Sequence, residues 1–352
     1  MRDASNPRAE ATSCAAYACA RAGRRPGGSV RVIGVPFNSA GIPEGVARAP
    51  GALREAGLIA RLHRPGRTSN PSPDPDPTRS FPTRAGEVRD AGDVDVGVLR
   101  PERDPDCRLR ALESLHVTTA SVRRAVAASV HDGDRPLVIG GDCPVLLGCL
   151  RGTSDAVGEV GLLFIDGHQD AWPPDRSTTG EAADCELGFI LGLHRERLPP
   201  SLTHLLPTLD PRQVVALGPR DADDLAAHAV ASVTDRIFIR PAEDFHTDAD
   251  VAAAAADATA RILRRVEHWW LHIDLDVLST DALPAVDYPQ PGGLSWSQLE
   301  SLTATALGAA GCVGITVCIY NPDLDPDRRH ARRIVDYLAH LCAPLSPRKQ
   351  GV

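Results

Sequence analysis

A chain of 352 residues is long enough for one large α/β domain or two ordinary ones. Its 38 Lys and Arg stand against 46 Asp and Glu, a net charge of −8, which argues against nucleic acid or an anionic membrane surface as the main partner. No stretch approaches the ~20 apolar residues of a membrane span. The nine Cys have no regular spacing and form no Cys-x-x-Cys pair, so reduced thiols and a cytoplasmic setting are expected.

Residues 1–29 read as a disordered N-terminal extension. The Ala/Cys stretch Ala11 to Ala20 lacks a preceding basic region and is too short and weakly apolar for a signal peptide. The first strand is expected near Ser29 to Val35. A helix should follow Arg48-Ala49-Pro50, with the proline in its first turn. Residues 65–87 are rich in Pro, Ser, Asp and Thr (Ser72-Pro73-Asp74-Pro75-Asp76-Pro77) and read as a flexible surface insertion. Strand-like segments resume beyond it, so residues 30–345 are taken as a single domain. Residues 109–131 read as a helix, and strands recur near 136–140, 160–165, 213–217, 236–239, 269–275 and 312–319. Helical stretches such as Asp248 to Val266 and Ser297 to Ala310 lie between them. This alternation predicts an α/β fold with a parallel sheet covered on both faces.

Three of these strands end in ligand-type side chains. After Val160-Gly161-Leu162-Leu163-Phe164-Ile165 come Asp166, His168 and Asp170 at alternate positions. In extended backbone, residues i, i+2 and i+4 line one face. Trp269-Trp270-Leu271-His272-Ile273 leads to Asp274 and Asp276 with the same spacing, and Leu137-Val138-Ile139-Gly140-Gly141 leads to Asp142 and Cys143. Open α/β sheets bind ligands at the carboxyl ends of their strands. Five ionisable groups gathered there would repel one another unless a cation joined them. An Asp-rich, His-poor set suits a hard or borderline divalent cation such as manganese.

At these residues the chain resembles the ureohydrolase family of arginases, agmatinases and formiminoglutamases. The resemblance rests on Gly140-Gly141-Asp142-Cys143, on Asp166 to Asp170, and on His272 to Asp276 with Pro291-Gly292-Gly293-Leu294. The opening Val32-Ile33-Gly34-Val35-Pro36-Phe37, the run Gly45 to Arg54, and Asp90-Ala91-Gly92-Asp93 add to it. It spans roughly residues 30 to 340. It implies a three-layer α/β/α arginase/deacetylase-like fold with a mostly parallel sheet of about eight strands. It also implies a manganese-dependent hydrolase, with one or two metals per chain, whose metal-activated hydroxide cleaves a C–N bond of a linear amidine.

The departures from the family pattern are specific. Cys143 stands where the family has a metal-binding His. The downstream His that assists proton transfer falls at Ala183, and the acidic residue that holds the guanidinium falls at Ile319. Plain arginine is therefore a poor expectation, and a modified guanidino or amide substrate a better one. The metal set implied is Asp166, His168, Asp170, Asp274, Asp276 and Cys143. Asp166, His168, Asp274 and Asp276 would hold the tighter ion, and Asp170 and Cys143 would border a weaker one. Asp170, Glu181 and Asp184 are the candidates for proton transfer, the last two from a loop over the site. Asp142 is expected to fix its loop. His272, where the family has a small residue, is expected to face away from Asp274's neighbours.

Two other readings stay open. A zinc-dependent deacylase could use Asp166, His168 and Asp274 as ligands and Tyr320 as electrophile. A non-catalytic member could keep the metal or a ligand only. The expected partner is a small-molecule substrate, with a small ligand or another partner in the non-catalytic reading; neither nucleic acid nor a membrane is expected, and a homo-oligomer is.

Overall fold

The computed structural model describes residues 29–63 and 87–342. The expected N-terminal extension and Pro-rich insertion lie outside these residues, apart from Ser29 and Glu87 at their edges, as do residues 343–345.

Eight strands form one sheet: β1 (Val30–Val35), β2 (Val88–Asp93), β3 (Arg135–Gly140), β4 (Gly161–Ile165), β5 (Val214–Leu217), β6 (Phe238–Arg240), β7 (Trp269–Asp274) and β8 (Cys312–Cys318). Their order is β2-β1-β3-β8-β7-β4-β5-β6, and every pairing is parallel. The central strands are largely apolar because both faces are covered, with His272, Asp274 and Thr316 as buried polar exceptions. β4 and β7 are buried along their whole length. Each fully buried Leu, Ile or Val there contributes about 1.5–3 kcal/mol relative to exposure.

Among the described residues, ten α-helices accompany the sheet: α1 (Ala49–Glu55), α2 (Leu58–Leu62), α3 (Leu112–His131), α4 (Val145–Val157), α5 (Glu186–Ile190), α6 (Pro200–Thr203), α7 (Ala222–Ala227), α8 (Asp248–Leu263), α9 (Trp296–Leu307) and α10 (Arg329–Leu341). α3 packs on α4, which also meets α5. α8, α9, α10, α2 and α1 form a second connected layer. The architecture is a three-layer α/β/α sandwich. α3 and α4 approach closely because α4 carries Gly148 and Gly152, where a Cβ would meet Val122 Cβ at 2.7 Å and the Arg123 carbonyl oxygen at 2.4 Å.

Local signals place several starts. Pro50 lies in the first turn of α1. Thr247 with Asp250, and Ser295 with Gln298, form reciprocal capping boxes at α8 and α9. The strand without a clear sequence signal is β2. It lies at the sheet edge, only Val88 is buried, and its polar side chains serve Arg54, whose guanidinium meets Asp90 at 2.9 Å and Asp93 at 2.5 Å.

The topology decides where chemistry can occur. β3, β8, β7 and β4 are consecutive at the sheet centre, so their carboxyl ends open on one edge. Ile165 pairs with Ile273, and Asp274 pairs with Cys318. Asp166, Asp274 and the turn after β3 are therefore neighbours by construction.

Candidate metal centre

Asp166 is the first residue beyond β4 and is fully buried. Its Oδ1 accepts the His168 N–H at 2.7 Å, while its Oδ2 has no hydrogen-bond partner. Asp274 closes β7; its Oδ1 accepts the Asp276 N–H at 2.7 Å and its Oδ2 the Cys143 thiol at 2.7 Å. Asp276 accepts the Gly167 N–H at 3.0 Å and faces His168 Nδ1 at 2.9 Å. Gly167 must be small: a Cβ there would meet Asp276 Oδ1 at 2.8 Å and Arg220 Nη1 at 2.5 Å.

The convergence arises differently from the alternation in the sequence. The strands stop at Ile165 and Asp274. Asp276 sits in a 3₁₀ turn (Leu275–Val277), and Asp170 has φ of +44° in the left-handed region. The loop conformation, not extended backbone, turns Asp170 back toward Asp166.

Ligand atoms within 4.8 Å of one another come together in three sets. They are Asp166, His168 and Asp170; Asp166, Asp274 and Asp276; and Cys143, Asp166, Glu186 and His272. Asp166 belongs to all three. All six residues read from the sequence as metal ligands are thus near one point, and two more join them.

His272 corrects an expectation. It shares the sheet face of Asp274, as i and i+2 must, and its ring stacks on Phe164 at 5.0 Å rather than turning away. Glu186, the first residue of α5, was not evident beforehand. Its signal is a lone carboxylate in the otherwise apolar Leu187-Gly188-Phe189-Ile190-Leu191 context, and it is fully buried.

The electrostatics match a cation cradle. Burial, then the charges of Asp170 and Asp276, pushes the Asp166 carboxyl well above the ordinary range. Burial, then Asp276 and Asp166, does the same to Asp274. Burial followed by Glu186 raises Asp170. Asp276 is the exception. Burial opposes its charge, but His168, the Gly167 N–H and Arg220 outweigh burial and hold it low. An unpaired buried carboxylate oxygen costs about 1–3 kcal/mol or more, and Asp166 Oδ2 bears that cost with no protein donor. A divalent cation satisfies such an atom and relieves the repulsion, so the residues present fit the metal.

Above this corner is a cavity of about 350 Å³. Among the described residues, nine carboxyl side chains line it and His168 is the one basic residue. Glu181 accepts the Tyr288 hydroxyl at 2.8 Å, and burial, with Asp142 nearby, raises its carboxyl to about 8. Asp184 accepts Thr179 Oγ1 at 2.8 Å and also the Ser177 hydroxyl. Asp142 takes the Ser39 N–H at 2.8 Å and the Cys143 N–H at 3.0 Å, tying its loop to the turn after β1. Ala183 and Ile319 line the cavity where the family pattern has its His and its acidic reader. Ile319 holds φ of +72°, uncommon for a β-branched residue.

Tyr320 does not serve the cavity. Its hydroxyl donates to Asp325 at 2.7 Å, and it is absent from the lining, which removes it as the electrophile of a deacylase.

The arginase family model matches residues 28–343. The chain belongs to the arginase family. It is 26% identical over 316 residues to an arginase of Bacillus caldovelox, covering 89% of this chain and 97% of that one. It is 24% identical to arginase-1 of Sus scrofa over 311 residues, covering 88% and 89%. The solved B. caldovelox arginase superposes with a TM-score of 0.74 at 24% identity, covering 91% of this chain and 100% of the other. The proclavaminate amidino hydrolase of Streptomyces clavuligerus shares the fold at a TM-score of 0.61 and 21% identity, covering 89% and 90%. Within this family the chain is divergent, with Cys143 in place of a metal-binding His.

Proposed function

We propose that this family member is a metal-dependent hydrolase that cleaves a C–N bond of a positively charged guanidino-type or amide substrate. The observation that carries the reading is Asp166: a fully buried carboxylate common to three donor sets, at the base of a cavity with nine carboxyls and one imidazole. Even two divalent cations would leave that lining net negative when its carboxyls are ionised, which favours a cationic substrate.

Bound here, a divalent cation acidifies water and so supplies a nucleophile at neutral pH. Asp170, facing Asp166 and raised by burial, is suited to hold and return a proton at the attacking oxygen. Glu181, near 8 and bonded to Tyr288, is suited to protonate a leaving amine. Asp184, fixed by two hydroxyls, is suited to orient an ammonium group. With Ile319 apolar, the site lacks a carboxylate where arginine's guanidinium would be held, so arginine and agmatine should be poor substrates. Manganese in the oxygen-rich corner, a cytoplasmic setting and a homo-oligomer belong to the same reading. No described helix is long and apolar enough to cross a membrane.

The test is metal analysis of the purified protein together with a screen for urea and ammonia release over guanidino and amide compounds. Release that needs the metal and falls in Asp170→Asn supports the reading. Bound metal with inertness across every compound would favour a binding protein, and efficient arginine turnover would overturn the substrate assignment.

A further inference from the structure

The least explained atoms of the site lie beneath the cavity. Both carboxylate oxygens of Glu186 and both ring nitrogens of His272 are buried without a hydrogen-bond partner, as is Asp166 Oδ2. Glu186 and His272 are each 0% exposed. They come from separate elements, α5 and β7, and meet Asp166 from the end of β4 and Cys143 from the turn after β3. One donor atom from each of the four lies within 4.8 Å of the other three.

We propose that Cys143, Asp166, Glu186 and His272 form a metal subsite of mixed sulfur, nitrogen and oxygen donors that prefers zinc or cobalt to manganese. It rests on the reading above, that the Asp166 corner binds divalent cations, and adds a second kind of subsite to it.

The donor chemistry argues for the preference. Thiolate and imidazole with two carboxylates suit a borderline cation in a closed, four-coordinate site, whereas manganese favours oxygen-rich shells. Four donors at tetrahedral zinc lie about 3.5 Å apart, so the cluster needs only modest contraction. His272 stacks against Phe164 with an interplanar angle of 18°, which fixes the ring plane. A neutral imidazole so held is the form that ligates metals. The Cys143 thiol already meets Asp274 at 2.7 Å, and its thiolate would need a cation beside that carboxylate. The Glu186 carboxylate accepts no hydrogen bond, and its neighbour Asp170 is a second acid, not a cation. Cys143 would thus act within a set completed by Glu186 and His272.

The experiment uses the full chain, stripped with chelator and titrated with cobalt(II) and zinc(II). The wild type should show a near-ultraviolet thiolate-to-cobalt charge-transfer band, and X-ray absorption at the zinc edge should show one sulfur at about 2.3 Å plus imidazole scattering. Cys143→Ser should abolish the band. Glu186→Gln and His272→Phe should each weaken cobalt binding at least tenfold, while His168→Asn should leave the band in place. Cobalt bound without any sulfur contact in the wild type would overturn this subsite and leave the oxygen-rich corner standing. A band unchanged in affinity in both Glu186→Gln and His272→Phe would also overturn it. No divalent binding at all would defeat the proposed function with it. The zinc-edge measurement decides even if a variant fails to fold.

Discussion

Replacing Glu181 by Gln should flatten the alkaline loss of stability in chelator-treated protein. Glu181 is 9% exposed, and its carboxylate accepts the Tyr288 hydroxyl. Burial and the nearby Asp142 raise its carboxyl from the ordinary 4.5 to about 8. Because the folded state holds this proton more tightly than the unfolded chain, the contribution is fully present below about pH 4.5 and is lost as pH rises through about 8. The difference converts to at most about 5 kcal/mol, and sharing of charge with Asp142 and Asp184 brings it to roughly 2 kcal/mol. Gln keeps an oxygen for the Tyr288 hydroxyl but cannot ionise. Thermal melts from pH 5 to 9 in chelator should therefore converge at the acid end. At the alkaline end the wild type should melt several degrees below the variant. Parallel melting curves over the whole range would refute the reasoning, because they would mean that Glu181 ionises without cost.

Cys143→His should raise manganese occupancy toward two ions per chain, measured by elemental analysis; unchanged stoichiometry would argue that position 143 does not reach the metal. Asp166→Asn should keep the chelated protein's melting temperature nearly unchanged while removing the metal-induced rise, which for saturating metal at 100 times Kd is about 2.7 kcal/mol. A metal-dependent rise that survives in that variant would show that Asp166 is not the common ligand. Ile319→Glu should relieve a β-branched residue at φ of +72° and place a carboxylate in the cavity. Arginine binding should then tighten at least tenfold by calorimetry, and no gain would mean that the guanidinium is read elsewhere.

Much of the fold was legible because the central strands are buried on both faces. Seven of the eight strands announce themselves as largely apolar segments, and three of these end in ligand-type side chains. β2 did not, since an edge strand with one buried residue has no apolar pattern to read. At the site, the alternation at 166, 168, 170 and at 274, 276 pointed to the right place for an incomplete reason. Parallel register puts Asp166 beside Asp274, but the left-handed turn at Asp170 and the 3₁₀ turn at Asp276 finish the cluster, and neither has a periodic signature. Tyr288 and Asp287 reach the cavity from a loop for which no local pattern exists. Glu186 needed the tertiary contact of α5 with the sheet edge to acquire meaning. His272 was misread, although i, i+2 geometry alone places it with Asp274.

The departures from the family pattern then form two groups with different physical consequences. Ala183 and Ile319 line the cavity wall and bring neither a proton carrier nor an anion to it. In the proposed reaction they would alter what is bound and how its leaving group is protonated, while the donors of the Asp166 corner stay in place. Glu186 and His272 lie fully buried below the wall, and Cys143, itself 1% exposed, lies between them and the cavity. There a change in donor type cannot be screened by solvent. A cation of the wrong softness leaves the thiol protonated and the imidazole unmatched, each at the full cost of a buried polar group. Metal choice is therefore the more tightly constrained property of this chain. Substrate choice is the freer one, since Glu181, Asp184 and Asp287 line an open cavity in which a ligand's own charge and bound water can compensate.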